Sequence, residues 1–414
     1  MKVKHFIVVL LLIAILVTAG CAKPKEEKIK VGVIGPMNLV FGIAEKKAVE
    51  LAAEEINKMG GILGKKVEVV VGDTKLNPNT ATMEFRRLVT DEGVKVMIGG
   101  FASGIVLSMQ EVMAETKVVW LADGSSPRLT ERVKENYSTY KYFFRAGTIN
   151  GTTYAYDIFD AIHNFFNKKL GKKWKKIAVI RDDAIWTDDV MKELRKRFEE
   201  HGYEIVLDEK VKKGTEDFTP ILEKINGKAD VIVTLLAHVN GIPLVKQWKE
   251  LGLKIQIIGH DLSAIFPKAW NTSEGKINGL VFIATGGAIH VPVNERAKEF
   301  IKKWKEKYGG YPDANTAYDM YDALFLYKRA VEMAKEAGEK DPFDPDVVVK
   351  YLEMINESNP FVSVRGNLAF TKYHDPVWGD KYIRNWICQW QNGKVVIIWP
   401  ENVANGEYME PWKY

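Results

Sequence analysis

Residues 94–104 read VKVMIGGFASG and residues 118–130 read VVWLADGSSPRLT. Each begins as an apolar, β-rich run and breaks at glycine. Each then presents a serine, Ser103 or Ser125, just before a segment with helical spacing. Pro127 suits a first helical turn. A hydroxyl between the end of a buried strand and the start of a helix is one local device, and the chain builds it twice. On its own such a serine reads as a helix cap. Two on neighbouring turns read better as a cradle for an anion, because free N–H groups and the helix dipole converge there.

The surrounding sequence supplies the frame. IKVGVIGP, KKVEVVVGD, VKVMIGG and VVWLA are short strand-like runs separated by helical patterns such as GIAEKKAVELAAEEINKMGG, where Ala44, Ala48, Leu51, Ala52 and Ile56 recur on one face. A second series starts near Ala146: KKIAVIRDD, YEIVLDEKV, DVIVTLL and IQIIGH alternate with helical segments. Strands alternating with helices imply parallel βαβ units covered on both faces. The expected fold is therefore α/β, with two doubly wound, Rossmann-like lobes. Two long helical stretches follow Thr285, and two strand-like runs joined by Asn392-Gly393 end the chain.

Composition narrows the function. The 414 residues allow a large core, and 46% hydrophobic with 27% charged residues is ordinary for a globular protein. A net charge of +5 from 59 basic and 54 acidic residues is too balanced to argue for nucleic acid. There is no GxGxxG after the first strand, no Walker A, no HExxH, no GxSxG and no CxxC. The 7 histidines lack ligand spacing, so no metal or cofactor is expected.

The N-terminus differs. MKVKH is basic, and FIVVLLLIAILVTAG is apolar but shorter than the roughly 20 residues of a spanning helix. Residues 1–20 read as a signal peptide. Thr18-Ala19-Gly20 before Cys21 is similar to a lipoprotein box, with Thr where Leu is usual, so Cys21 is the expected lipid attachment site. An uncleaved helical anchor is the alternative. Both readings hold the protein at the extracytoplasmic face of the membrane. Residues 21–28 read as a tether. Cys388, the other of the 2 cysteines, sits in an apolar run and is expected to be a buried thiol.

The segment KVGVIGPM…FG…AVELAAEEINKMGGILGKKVEVVVGDTKLNPNTA resembles the first lobe of the leucine/isoleucine/valine-binding proteins, type I periplasmic substrate-binding proteins of ABC importers. GGFASG, SSPRLT, FFRAG, GTEDFTPILEKI and TAYDMYDAL follow in that family's order, from about Ile29 to about Trp390. The resemblance implies a ligand cleft between two lobes joined by three crossings. Lobe 1 would be 29–145 plus 290–358, and lobe 2 would be 146–289 plus 359–414.

The resemblance also implies roles. Ser103 and Ser125 would hold the ligand carboxylate. Phe41 would pack on the ligand, Trp186 would close over it, and Asp261 would bind its ammonium. Phe101, Asp123, Ala237 and His238 would complete the lining. Two positions depart from the family: Asp123 stands where a small residue is common, and Ala237-His238 where an aromatic is. The implied function is capture of a branched-chain or other hydrophobic amino acid by a monomer that docks on an ABC permease. An amide, urea or aromatic-acid receptor of the same fold is an alternative. A secreted hydrolase is another, though Ser103 and Ser125 have no base near them in sequence.

Overall fold

The computed structural model describes residues 27–147, 150–285 and 291–412. The signal, Cys21 and most of the tether lie outside the described residues. Among these residues no helix is long and apolar enough to cross a membrane.

The first series folds as β1 (Lys28–Gly35), α1 (Val40–Lys58), β2 (Lys66–Asp73), α2 (Pro78–Thr90), β3 (Val96–Gly99), α3 (Ser103–Thr116), β4 (Val119–Ala122), α4 (Arg128–Glu135) and β5 (Phe143–Arg145). The strands form one parallel sheet in the order β2-β1-β3-β4-β5. Strands β3 and β4 are buried throughout because helices cover both faces. Helix starts follow local chemistry. Asn77 caps α2 by accepting the Thr80 N–H, and Pro78 occupies the first turn, where no N–H is needed.

The second series gives α5 (Gly151–Asp160), continued by a π-helical stretch (Ala161–Lys169), then β6 (Lys176–Asp182), α6 (Ile185–Glu200), β7 (Glu204–Val211), α7 (Thr219–Ile225), β8 (Val231–Leu236), α8 (Ile242–Glu250) and β9 (Gln256–Asp261). Its parallel order is β7-β6-β8-β9. Beside β9 packs β10 (Val281–Thr285). The chain then returns to lobe 1 with α9 (Glu295–Tyr308), α10 (Asn315–Glu336) and α11 (Pro345–Leu352). Helix α10 packs along α1. A small hairpin, β11 (Phe361–Ser363) and β12 (Gly366–Leu368), precedes β13 (Asn385–Gln391) and β14 (Lys394–Trp399), which join β10 in an antiparallel sheet. Asn392 and Gly393, at φ 51° and 82°, make the tight turn between them. Cys388 is buried and free in β13, and burial pushes its thiol well up.

Beyond Ser358, the expected end of lobe 1, the chain keeps contacts with β5 as far as Asp375. Phe370 edges onto Phe144, His374 stacks on Phe144 at 3.8 Å, and Arg145 donates Nε to Asp375 Oδ1 at 2.7 Å. Only then does the chain join lobe 2, where Arg384 meets buried Asp157 at 3.1 Å. Aromatic and ionic contacts hold the crossing strand, and they leave no simple pattern in the sequence.

In each sheet the strand order reverses beside the first strand, between β1 and β3 and between β6 and β8. Loops leaving the carboxyl ends at such points form the crevice of an open α/β sheet. The two crevices face each other.

Candidate functional site

The β3–α3 turn is built under strain. Gly99, Gly100 and Ala102 all have positive φ, at 97°, 121° and 65°. For alanine this conformation costs about 1–2 kcal/mol. Trp120, fully buried in β4, secures the turn by donating Nε1 to Gly99 O at 2.8 Å. The next turn, after β4, contains Gly124 at φ 120°. Ser103 Oγ accepts the Ser126 N–H at 3.0 Å, so the two serine turns are bonded to each other.

These turns form the lobe 1 wall of a cavity lined by Phe101, Ala102, Ser103, Asp123, Gly124, Ser125 and Asn315. Its lobe 2 wall is Tyr154, Trp186, Val190, Ala237, His238, His260 and Leu262. The structure thus brings Phe101, Ser103, Asp123, Ser125, Trp186, Ala237 and His238 to one place, from loops far apart in sequence.

Two expected residues are not on this lining. Phe41 stacks on Phe101, with ring centroids 4.5 Å apart, and faces an outer chamber of the same cleft that also touches Ala237 and His238. It therefore backs Phe101 and does not line the inner cavity. Asp261 is engaged elsewhere. Its Oδ1 accepts from Ser263 N–H at 3.0 Å and from Ser263 Oγ–H at 2.6 Å. Its carboxylate also presses on Gly241, where a Cβ would lie 1.8 Å from Oδ2. Ser263, two residues on, captures the acid locally. Burial pushes the Asp261 carboxyl up to about 6, against the Ser263 hydrogen bonds.

Polar groups around the cavity are organised. Asp182 accepts N–H groups of Ala237, His238 and Val239 and holds His238 Nδ1 at 2.9 Å, which fixes the β8–α8 loop. His260 is pushed down to about 4 by burial, so it is neutral at physiological pH. Trp186 Nε1, His260 Nδ1 and Asn315 Oδ1 are buried without a hydrogen-bond partner among the described residues. Among the described residues neither Ser103 nor Ser125 hydrogen-bonds a histidine. Asp123 accepts the Gly124 N–H at 2.6 Å.

Sequence reasoning missed Ala102, Gly124, Tyr154, Val190, His260, Leu262 and Asn315 as lining residues. His260 and Leu262 flank Asp261 at the end of β9, so the strand-end rule that selected Asp261 could have selected them. Asn315 opens α10, and nothing local links that helix to the cleft.

The arrangement offers hydroxyls and a strained, N–H-rich turn on one side and aromatic cover on the other. That suits a small ligand with a carboxylate and an apolar body, held between lobes that close on it.

Known proteins share this fold. A putative branched-chain amino acid ABC transporter protein from Silicibacter pomeroyi shares the fold at TM-score 0.80 with 21% identity, over 93% of this chain and 99% of that one. The branched-chain amino acid transporter substrate-binding protein of Streptococcus pneumoniae, solved with isoleucine, aligns at TM-score 0.71 with 26% identity, over 89% and 98% of the chains. Leu/Ile/Val-binding protein homolog 1 of Brucella abortus is 29% identical over 356 residues, 84% of this chain and 86% of that protein. Residues 28–388 match the periplasmic binding protein family, whose members bind ligands and are not enzymes. The chain belongs to the periplasmic binding protein family.

Proposed function

We propose that the chain is the substrate-binding protein of an ABC importer and takes an apolar α-amino acid, of the branched-chain class, into the interlobe cleft. The observation that carries this reading is the pairing of two hydrogen-bonded serine turns on lobe 1 with Trp186 and Tyr154 of lobe 2 around one cavity. Ser103, Ser125 and the α3 N-terminus receive the carboxylate, and the aromatic wall covers the side chain. The relatives named for leucine, isoleucine and valine support the ligand class. A ligand touching both lobes favours the closed form by its differential contacts, and the closed form then docks on a membrane permease.

Cys21 carries the lipid that keeps the protein at the outer face of the membrane. Cys21→Ser should release it from the membrane fraction and abolish labelling by palmitate. Retention of the variant in the membrane would favour the helical anchor.

A thermal-shift panel of amino acids, amides, urea and aromatic acids tests the ligand. Ligand that binds only the folded form raises the melting temperature. Aliphatic amino acids are expected to give the largest shifts, and shifts confined to other classes would overturn the assignment. An aromatic- or aliphatic-acid receptor is the second reading. It is favoured by one observation: the Asp261 carboxylate is held by Ser263, away from the cavity lining.

A further inference from the structure

Resting on the amino-acid reading, we propose that the ligand's amino group is held from lobe 1, by the Asn315 amide oxygen beside Asp123, and not from lobe 2 by Asp261.

Asn315 lines the cavity at the start of α10. Its Nδ2 donates to Asp319 Oδ2 at 3.1 Å, which sets the orientation of the amide. What remains is Oδ1, a buried acceptor with no partner among the described residues. A buried acceptor left unsatisfied is destabilising, so a donor brought by the ligand is the natural complement.

The charge behind it has the matching sign. Asp123 lines the same wall, and Asp319 and Glu45 lie buried close by. Each of these two carboxyls is pushed up, mainly by burial and further by Asp123. Arg365 is the cation that pairs with Asp319 in this group. It meets Asp319 at 3.0 Å and spends its other donors on the carbonyls of Ala146 and Gly147. An ammonium group at Asn315 would add positive charge beside these carboxyls.

Among the described residues, lobe 2 contributes no carboxylate to the cavity lining. The side chains it contributes include Trp186, Tyr154, Leu262 and neutral His260, and Asp261 is engaged with Ser263 against Gly241. Both charged ends of the ligand therefore bind lobe 1, and lobe 2 supplies cover. Capture by the open lobe 1 would precede closure.

The test titrates the full chain by calorimetry with L-leucine and with 4-methylpentanoate, which has the same skeleton without the amino group. Asn315→Leu should weaken L-leucine at least about tenfold, the worth of one charge-assisted hydrogen bond, and leave 4-methylpentanoate within about twofold. Asp261→Asn should leave both ligands within about threefold. Unchanged leucine affinity in Asn315→Leu, or equal losses for the two ligands, would overturn the proposal. So would a leucine-specific tenfold loss in Asp261→Asn, a result that stands even where Asn315→Leu fails to fold. Tighter binding of 4-methylpentanoate than of leucine by the unaltered chain would sink the amino site and leave a carboxylate-binding protein. Binding of neither would overturn the amino-acid reading itself.

Discussion

Ser126 of lobe 1 donates its hydroxyl across the cleft to Asp189 of lobe 2 at 2.5 Å. Arg128 pairs with the other oxygen of the same carboxylate at 3.0 Å. Both Ser126 and Asp189 are buried, and they sit next to cavity residues: Ser125 precedes Ser126, and Val190 follows Asp189. These contacts form a polar clasp between the two lobes beside the cavity.

Removing the clasp should favour the open form. Asp189→Ala leaves the buried Ser126 hydroxyl without its acceptor, at a cost of about 1–3 kcal/mol paid only when the lobes are closed. Ligand affinity is expected to fall roughly tenfold, and small-angle scattering should give a larger radius of gyration without ligand. An unchanged radius together with unchanged affinity would show that the clasp does not bias closure.

Loss of either serine hydroxyl should weaken carboxylate binding. Ser125→Ala removes one donor to a charged group, a loss of about 1.5–3 kcal/mol, or at least about tenfold in affinity. Ser103→Ala should cost more, since it also strips the Ser126 N–H of its acceptor. Calorimetry with the best ligand of the panel decides this, and wild-type affinity in both variants would remove the two turns from the site.

The strained turn should not tolerate a side chain. Gly100 sits at φ 121°, and a Cβ there would lie 3.2 Å from Trp120 Cζ2 and 3.3 Å from Val106 Cγ2. Gly100→Ala is expected to destabilise the protein by about 1–3 kcal/mol. It should also displace Phe101 and Ser103, lowering ligand affinity in parallel. Urea unfolding and calorimetry on the same sample check both effects, and a variant as stable as the parent would argue against strain.

Stability should carry the signature of Asp261. Its folded pKa, about 6, lies above the ordinary value near 4. The folded state therefore binds this proton more tightly than the unfolded state. The resulting stability is fully present below about pH 4 and is lost as pH rises through about 6. Asp261→Asn does not titrate. Between pH 4 and pH 8 its stability relative to the parent should improve by about 2–3 kcal/mol in urea unfolding. No relative change, or a change of opposite sign, would mean that burial does not govern this carboxyl.

Much of the frame was legible from local pattern. The alternation of β-rich runs with helical spacing marks two doubly wound lobes, since each run is short enough for one strand and each helix has one apolar face. The tight turn at Asn392-Gly393 and the burial of Cys388 follow from neighbours in the chain. Ser103 and Ser125 were legible for the same reason: a hydroxyl at the end of a strand and the start of a helix is a local arrangement.

Side-chain direction at the cleft was not legible in this way. Asp261 stands at a strand end like the serines, but Ser263 two residues later offers both an N–H and an O–H, and the carboxylate turns to them. Phe41 is drawn onto Phe101 by ring stacking, which depends on the separation of β1 and β3 in space. Asn315 enters the cavity because α10 returns across lobe 1 to pack on α1, some two hundred residues after Ser103. The α/β frame and the serine turns arise from contacts within a few residues, and local pattern therefore reveals them. Which groups face the cavity depends on strand order, on the approach of the two lobes and on competition among hydrogen-bond partners that are far apart in sequence and meet only in the fold.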